Sequence, residues 1–221
     1  MPDNCKPGPD SAGGNEIQAM LAEGLASMGL SCSAIQQSTL LAYLDMLKHW
    51  NSTYNLTAIR DTRLMLTRHL LDSLAVNPFL RGARFIDLGT GAGLPGVPLA
   101  IVNPNRSFDL LDSNGKKTRF LFQVRLQLGI FNIRELNTRV ESHRPLETYD
   151  GILSRGFAGL AAMVDRSRHL LGPGGHFYAM KGKLKQQELA GVSAGFEVEA
   201  VERLYIPGLE EDRHLIIIRR I

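Results

Sequence analysis

Ten consecutive residues carry the densest chemical signal in this chain: Asp87-Leu-Gly89-Thr-Gly91-Ala-Gly93-Leu-Pro-Gly96. Glycine is needed where the backbone turns with positive φ or where a ligand must touch the main chain. Gly91, Gly93 and Gly96 stand at the spacing G-x-G-x-x-G, which grips nucleotide cofactors when it follows a strand and opens a helix. Both conditions are expected here: Arg84-Phe-Ile-Asp-Leu88 is a short apolar run that reads as a buried strand, and residues 94–102 read as a helix. Asp112 lies 21 positions beyond Gly91, at the end of the next apolar run, where a carboxylate accepts hydrogen bonds from ribose hydroxyls. Asp87 stands two residues before Gly89. It is either a strand-end acid bonded to nearby backbone or a partner for a cofactor ammonium group, and the second role is favoured.

Two cofactor classes fit such a loop. A dehydrogenase would seat a pyrophosphate on the helix N-terminus and would need a further substrate region, for which 221 residues leave little room. A methyltransferase loop wraps S-adenosylmethionine, which has no phosphate and carries an ammonium group suited to Asp87. S-adenosylmethionine is therefore the expected cofactor. Cys5 and Cys32 form no Cys-x-x-Cys pair and lie outside the strand-rich region. A cysteine zinc site and a cysteine nucleophile are accordingly not expected. No apolar run approaches membrane-spanning length, and no signal peptide is visible, so the expected location is the cytoplasm. The formal charge is only +3, so any nucleic-acid contact must come from local clusters.

The elements that must position these residues follow from periodicity. Residues 1–15 are rich in Pro, Gly, Asp and Asn and read as a flexible tail. Residues 16–221 read as one domain, with a helical region over 16–80 and a strand–helix core over 81–221. Helices are expected over 16–30 and 38–50, and a third is capped by Asp61. Strands are expected over 84–88, 107–111, 132–136, 149–154 and 176–180, with helices over 94–102, 116–128, 160–171 and 184–190 between them. Gly172-Pro-Gly-Gly175 reads as a turn. The runs 196–206 and 213–221 are expected to pair as an antiparallel hairpin. The fold class is thus α/β: a Rossmann-like class I methyltransferase fold, with a mostly parallel twisted sheet, helices on both faces, a C-terminal hairpin and preceding N-terminal helices.

The motifs together point further. Tyr43-Leu-Asp-Met-Leu-Lys-His-Trp50-Asn51, Tyr54-Asn-Leu-Thr57, Arg68-His-Leu-Leu-Asp72-Ser73 and the glycine loop are followed by Leu110-Leu-Asp112-Ser-Asn-Gly-Lys116-Lys117. Then come Ser154-Arg155-Gly-Phe157, Tyr178-Ala-Met-Lys181-Gly182 and Arg213-His-Leu215. In this combination the chain resembles the RsmG (GidB) family of bacterial small-subunit ribosomal RNA guanine-N7 methyltransferases. The resemblance implies cofactor contacts at Gly89, Leu94, Val140, Glu141 and Arg155, added to Asp87, Gly91 and Asp112 from the loop itself. It implies as partner 16S ribosomal RNA, or the small-subunit particle, with one specific guanine in the decoding-region RNA as target. The chain departs from the family in having Gly156 where alanine is frequent, and in its longer tail.

Guanine N7 is a lone-pair acceptor without a proton, so its methylation needs no general base and can run on positioning. Arg155 is expected to orient cofactor or guanine. Phe157 is read, at even odds with a core role, as a stacking partner for the extruded base. RNA phosphates are expected at Arg68 and His69, at Lys116 and Lys117, at Lys181 and at Arg213, although any single charge cluster is as readily a solvated face. Arg68, His69 and Asp72 equally fit an ion network on a helix surface, and Trp50 is read as a core anchor. A monomer is expected. A small-molecule methyltransferase and a non-catalytic, cofactor-dependent RNA-binding or assembly factor remain the competing functions.

Overall fold

The computed structural model describes residues 9–156, 159–184 and 186–221. Helix α1 (Pro9–Ser27) starts upstream of residue 16, so the expected tail overlaps it. Proline is tolerated in the first turn, where its missing N–H would have no helical partner. Helix α2 (Ala34–Tyr54) also begins earlier than expected. A capping box explains this: Ser33 Oγ accepts from the Gln36 amide at 3.2 Å, and Gln36 Oε1 accepts from the Ser33 amide at 2.8 Å. Asp61 caps α3 (Thr62–Met65) as expected, its carboxylate accepting from the Leu64 amide at 2.9 Å. The chain then continues as a π-helical segment, Leu66–Leu71, into α4 (Asp72–Leu74).

Among the described residues seven strands follow: β1 (Arg84–Leu88), β2 (Ser107–Asp112), β3 (Ile133–Asn137), β4 (Tyr149–Arg155), β5 (Leu171–Lys181), β6 (Phe196–Arg203) and β7 (His214–Arg220). Their order in the sheet is β3-β2-β1-β4-β5-β7-β6. The first five are parallel, and β7 lies antiparallel between β5 and β6. Helices α5 (Gly96–Val102), α6 (Gly115–Leu128), α7 (Leu160–Ser167) and α8 (Gln186–Ala190) connect them. The expected turn at 172–175 is instead part of β5. Between the pairs Tyr149↔Leu171 and Gly151↔His176, β4 advances two residues and β5 five, so the glycines form a bulge that returns the chain to the same ladder.

Alternation along the central strands separates two cores. Phe85 and Leu153 face the N-terminal helices, α5 and α6, whereas Ile86, Leu88 and Ile152 face α7. The strand order reverses between β1 and β4, which makes their carboxyl ends the crevice where ligands of open α/β sheets bind. Among the described residues, no helix is long and apolar enough to cross a membrane.

Candidate cofactor and RNA site

The glycine loop leaves β1 at this crevice and is pinned from beneath by Asp87. That carboxylate is fully buried; its Oδ2 accepts from Thr90 Oγ1 at 2.7 Å and from the Gly96 amide at 2.9 Å. Half of Asp87 therefore does what a strand-end acid does. Its Oδ1 is buried and has no hydrogen-bond partner among the described residues. Burial pushes the carboxyl up to about 6, against the hydrogen bonds from Thr90 and Gly96 and the nearby Arg155 charge, which favour the ionised form. Gly96 is required for close approach: a Cβ there would lie 2.3 Å from Leu110 Cδ2 and 3.0 Å from Asp87 Oδ2. Gly89 is required for its φ of +63°, and the space where its Cβ would stand is open. Tyr43 of α2 fixes the loop from the other side, its hydroxyl donating to the Ala92 carbonyl at 2.7 Å.

Beside the loop lies a cavity of about 300 Å³ lined by Gly89, Leu111, Asp112, Val140, Glu141 and Arg166, among others. Four expected cofactor residues, Gly89, Asp112, Val140 and Glu141, thus meet around one hollow. Asp112 carries structural duties there: Oδ2 accepts from the Gly91 amide at 3.0 Å and from Lys117 Nζ at 3.2 Å, and Oδ1 accepts from the Asn114 amide at 2.9 Å. A carboxylate has about four acceptor positions, so one is left for a ligand hydroxyl. Glu141 is exposed and faces Arg166 of α7 at 3.7 Å. Arg166, Thr138 and Arg139 line the cavity without having been singled out in the sequence; only the turn that follows β3 and the helix that follows β4 hinted at them. Leu94 is buried and does not line the cavity. A larger hollow of about 470 Å³ between α1, α2 and α3 shares none of these residues and lacks the loop geometry.

Arg155 also stays out of the cavity. Its Nη1 donates to the Arg68 carbonyl at 3.1 Å and to Asp72 Oδ2 at 3.2 Å. Arg213 approaches the same carboxylate, Nε to Oδ1 at 3.3 Å. Asp72 is only 3% exposed, so the expected surface network is a buried one. Burial raises its carboxyl above the ordinary range despite both arginines. The π-helical turn helps to build this cluster. The Asp72 amide donates to the Thr67 and His69 carbonyls, whereas an α-helix would direct it to Arg68. The Arg68 carbonyl is left to accept from Arg155 and from His69 Nδ1, the latter at 3.0 Å.

His69 corrects a sequence expectation. It is 6% exposed, and burial pulls its imidazole down to about 4, so it is neutral at pH 7 and offers RNA no cation. Because a carbonyl only accepts, Nδ1 is the donor, and Nε2 accepts from the Thr57 hydroxyl at 2.8 Å. Arg68 is half-buried and pairs with Glu211. Lys116 is exposed, Lys117 is tied to Asp112, and Lys181 Nζ contacts Glu188 at 2.6 Å. Phe157 lies outside the described residues. Trp50 packs 5.6 Å from the Phe120 ring, in keeping with a core anchor.

Comparison with known proteins adds an independent line. The profile of a family described as rRNA small subunit methyltransferase G matches residues 36–216. A protein of Shewanella amazonensis named ribosomal RNA small subunit methyltransferase G is 50% identical over 89% of this chain and 95% of its own. One of the same name from Salmonella typhimurium is 51% identical over 90% and 96%. Among solved structures, a SAM-dependent methyltransferase from Geobacter sulfurreducens in complex with S-adenosyl-L-homocysteine superposes with a TM-score of 0.54. It is 13% identical and covers 80% of this chain and 98% of its own, a likeness of fold.

Proposed function

The chain belongs to the rRNA small subunit methyltransferase G family, and from that premise we propose that it transfers a methyl group from S-adenosylmethionine to N7 of one guanine in 16S ribosomal RNA. The observation that carries this reading is the pairing of two features at one strand crevice. The glycine-loop cavity lies on one side of the β1–β4 carboxyl edge, and the Asp72–Arg155–Arg213 cluster on the other.

The residues fit the cofactor. Asp87 lies beneath the loop and does not line the cavity, but its buried Oδ1 is an unpartnered acceptor of the kind an ammonium group takes, and Asp112, in the cavity wall, keeps one acceptor position for a ribose hydroxyl. Leu88, Leu111 and Val140 give the cavity apolar walls for an adenine, and about 300 Å³ lies at the lower end of ordinary ligand sites. S-adenosylmethionine supplies a methyl group activated by a sulfonium. The chain supplies alignment. Guanine N7 holds a lone pair and no proton, so no side chain must accept a proton there. Gly89 and Asp112 hold the cavity wall, Val140 and Glu141 its far side, and the arginines attract the phosphates that bring the base to the mouth.

The test is transfer of labelled methyl to small-subunit RNA from a strain lacking the protein, beside RNA from the intact strain. Incorporation only into the former, at one guanine and as 7-methylguanosine, is expected. Cofactor binding with no incorporation into either naked RNA or subunits would sink the proposal.

A further inference from the structure

Asp72 is one carboxylate approached by two guanidinium groups, one from the end of β4 and one from the residue before β7. Arg155 is the last residue of β4, and Arg213 immediately precedes β7. Their side chains are 24% exposed while that of Asp72 is 4% exposed, so the anion is sunk beneath the cations. The π-helical turn adds the Arg68 carbonyl as a second acceptor for Arg155. Leu88 pairs with Ser154, which places Arg155 beside Gly89 at the edge of the glycine loop. Arg155 is hydrogen-bonded to this carboxylate, Arg213 stands at ion-pair distance from its Oδ1, and the two cations outnumber the one anion of the cluster.

We propose that Asp72 is a positioning residue that aims Arg155 and Arg213 at a phosphodiester of the RNA substrate at the mouth of the cofactor cavity. This rests on the functional reading above. It goes beyond it because an acid buried under a basic patch lowers the total charge facing RNA, yet on this view strengthens RNA binding. A freely mobile arginine loses rotamer entropy on meeting phosphate, whereas one held by a carboxylate is already oriented.

The sign of that effect makes the test sharp. Asp72→Asn removes one negative charge from the patch. If only charge mattered, RNA would bind more tightly and with a steeper dependence on salt. The positioning role requires the reverse: RNA affinity falling roughly tenfold or more, a shallower salt dependence, a raised KM for RNA, and cofactor affinity within about twofold of wild type. Adding Asp72→Asn to a protein already carrying Arg155→Ala and Arg213→Ala should cause no further loss of RNA affinity. Should Asp72→Asn not fold, Asp72→Glu keeps the charge but moves it by one methylene, and lowered RNA affinity with unchanged cofactor affinity is again expected. RNA affinity unchanged or tightened in the folded variant overturns the role. So does equal loss of RNA binding, cofactor binding and thermal stability. A wild type that binds cofactor and no RNA overturns the functional reading and this one with it; a methylating wild type beside an unaffected variant overturns the positioning role alone.

Discussion

Replacing Asp87 by asparagine should separate stability from cofactor affinity, moving them in opposite directions. Burial holds this carboxyl at about 6, against 3.8 for the free side chain. An acid with a raised folded-state pKa binds more protons folded than unfolded between those values. Its ionisation therefore costs nothing below about pH 4, and the cost grows as pH rises through 6. Two pKa units correspond to about 3 kcal/mol above that window. The neutral amide of the Asp87→Asn variant would escape this cost and could still accept from Thr90 and Gly96. It would place an N–H₂ group where Oδ1 now lies unpartnered, at about 1–3 kcal/mol. The net change in stability at pH 7.5 is then between about zero and +2 kcal/mol, with the thermal midpoint unchanged or raised by a few degrees. The advantage over wild type should shrink as pH falls toward 4. Cofactor affinity should drop, because a hydrogen bond to a charged partner contributes about 1.5–3 kcal/mol, or roughly 10–150-fold in Kd. Thermal melts across pH, with calorimetric titration of S-adenosylmethionine, read both quantities. A cofactor Kd within twofold of wild type would refute the ligand role of Oδ1. A variant destabilised by more than about 2 kcal/mol at pH 7.5 would refute the burial cost.

Three further expectations follow from the same geometry. His69 has a lowered pKa, about 4 against 6.5, so its stabilising contribution is complete above pH 6.5 and is lost as pH falls toward 4. The stability difference between wild type and His69→Gln should narrow by up to about 3 kcal/mol over that range, and an imidazole resonance titrating near 6.5 would contradict it. Tyr43→Phe leaves the Ala92 carbonyl without its 2.7 Å donor. Denaturant unfolding should show a loss of about 1–3 kcal/mol, accompanied by weaker cofactor binding; loss of stability alone would show that the loop does not depend on α2. Gly96→Ala drives a Cβ to 2.3 Å from Leu110 Cδ2. A cost of about 1–3 kcal/mol is expected in thermal unfolding, and a neutral substitution would mean that the α5–β2 contact is slack.

The sheet and the glycine loop were legible because their signals are local. Five apolar runs alternate with helical periods, and a loop that must bend and be approached closely needs glycine at particular positions. Asp112 could be expected at the crevice because strand ends of this topology converge there, whereas Glu141, which lines the same cavity, was indicated only by the family resemblance. What escaped was what depends on tertiary burial. Asp72, His69 and Arg155 are charged or titratable residues with ordinary sequence surroundings. Nothing in Arg68-His-Leu-Leu-Asp72 distinguishes a solvated helix face from one roofed by Arg155, 83 residues downstream, and by Arg213. The bulge at 172–175 escaped for another reason: Gly-Pro-Gly-Gly carries the composition of a turn, and only the register against β4 shows the ladder resuming beyond it. The early start of α2 was legible in Ser33-Ala-Ile-Gln36, which has the spacing of a capping box, although the run of apolar residues begins only at Leu40.

The π-helical segment Leu66–Leu71 also sets which changes in chain length the protein can accept. Such a turn holds one residue more than an α-helical turn would. An in-frame deletion of one codon there would let the segment close into a regular α-helix, with every backbone bond of the preferred kind. With one of residues 69–71 removed, the Thr67 carbonyl would become the regular acceptor of the Asp72 amide, and the Arg68 carbonyl would be taken by the Ser73 amide. Arg155 and His69 would lose a shared acceptor. Such a deletion would improve the local helix while dismantling the wall beside the cofactor loop. Substitutions along 66–71 that preserve length should be tolerated far more often than losses of a single residue, although most of these side chains are buried.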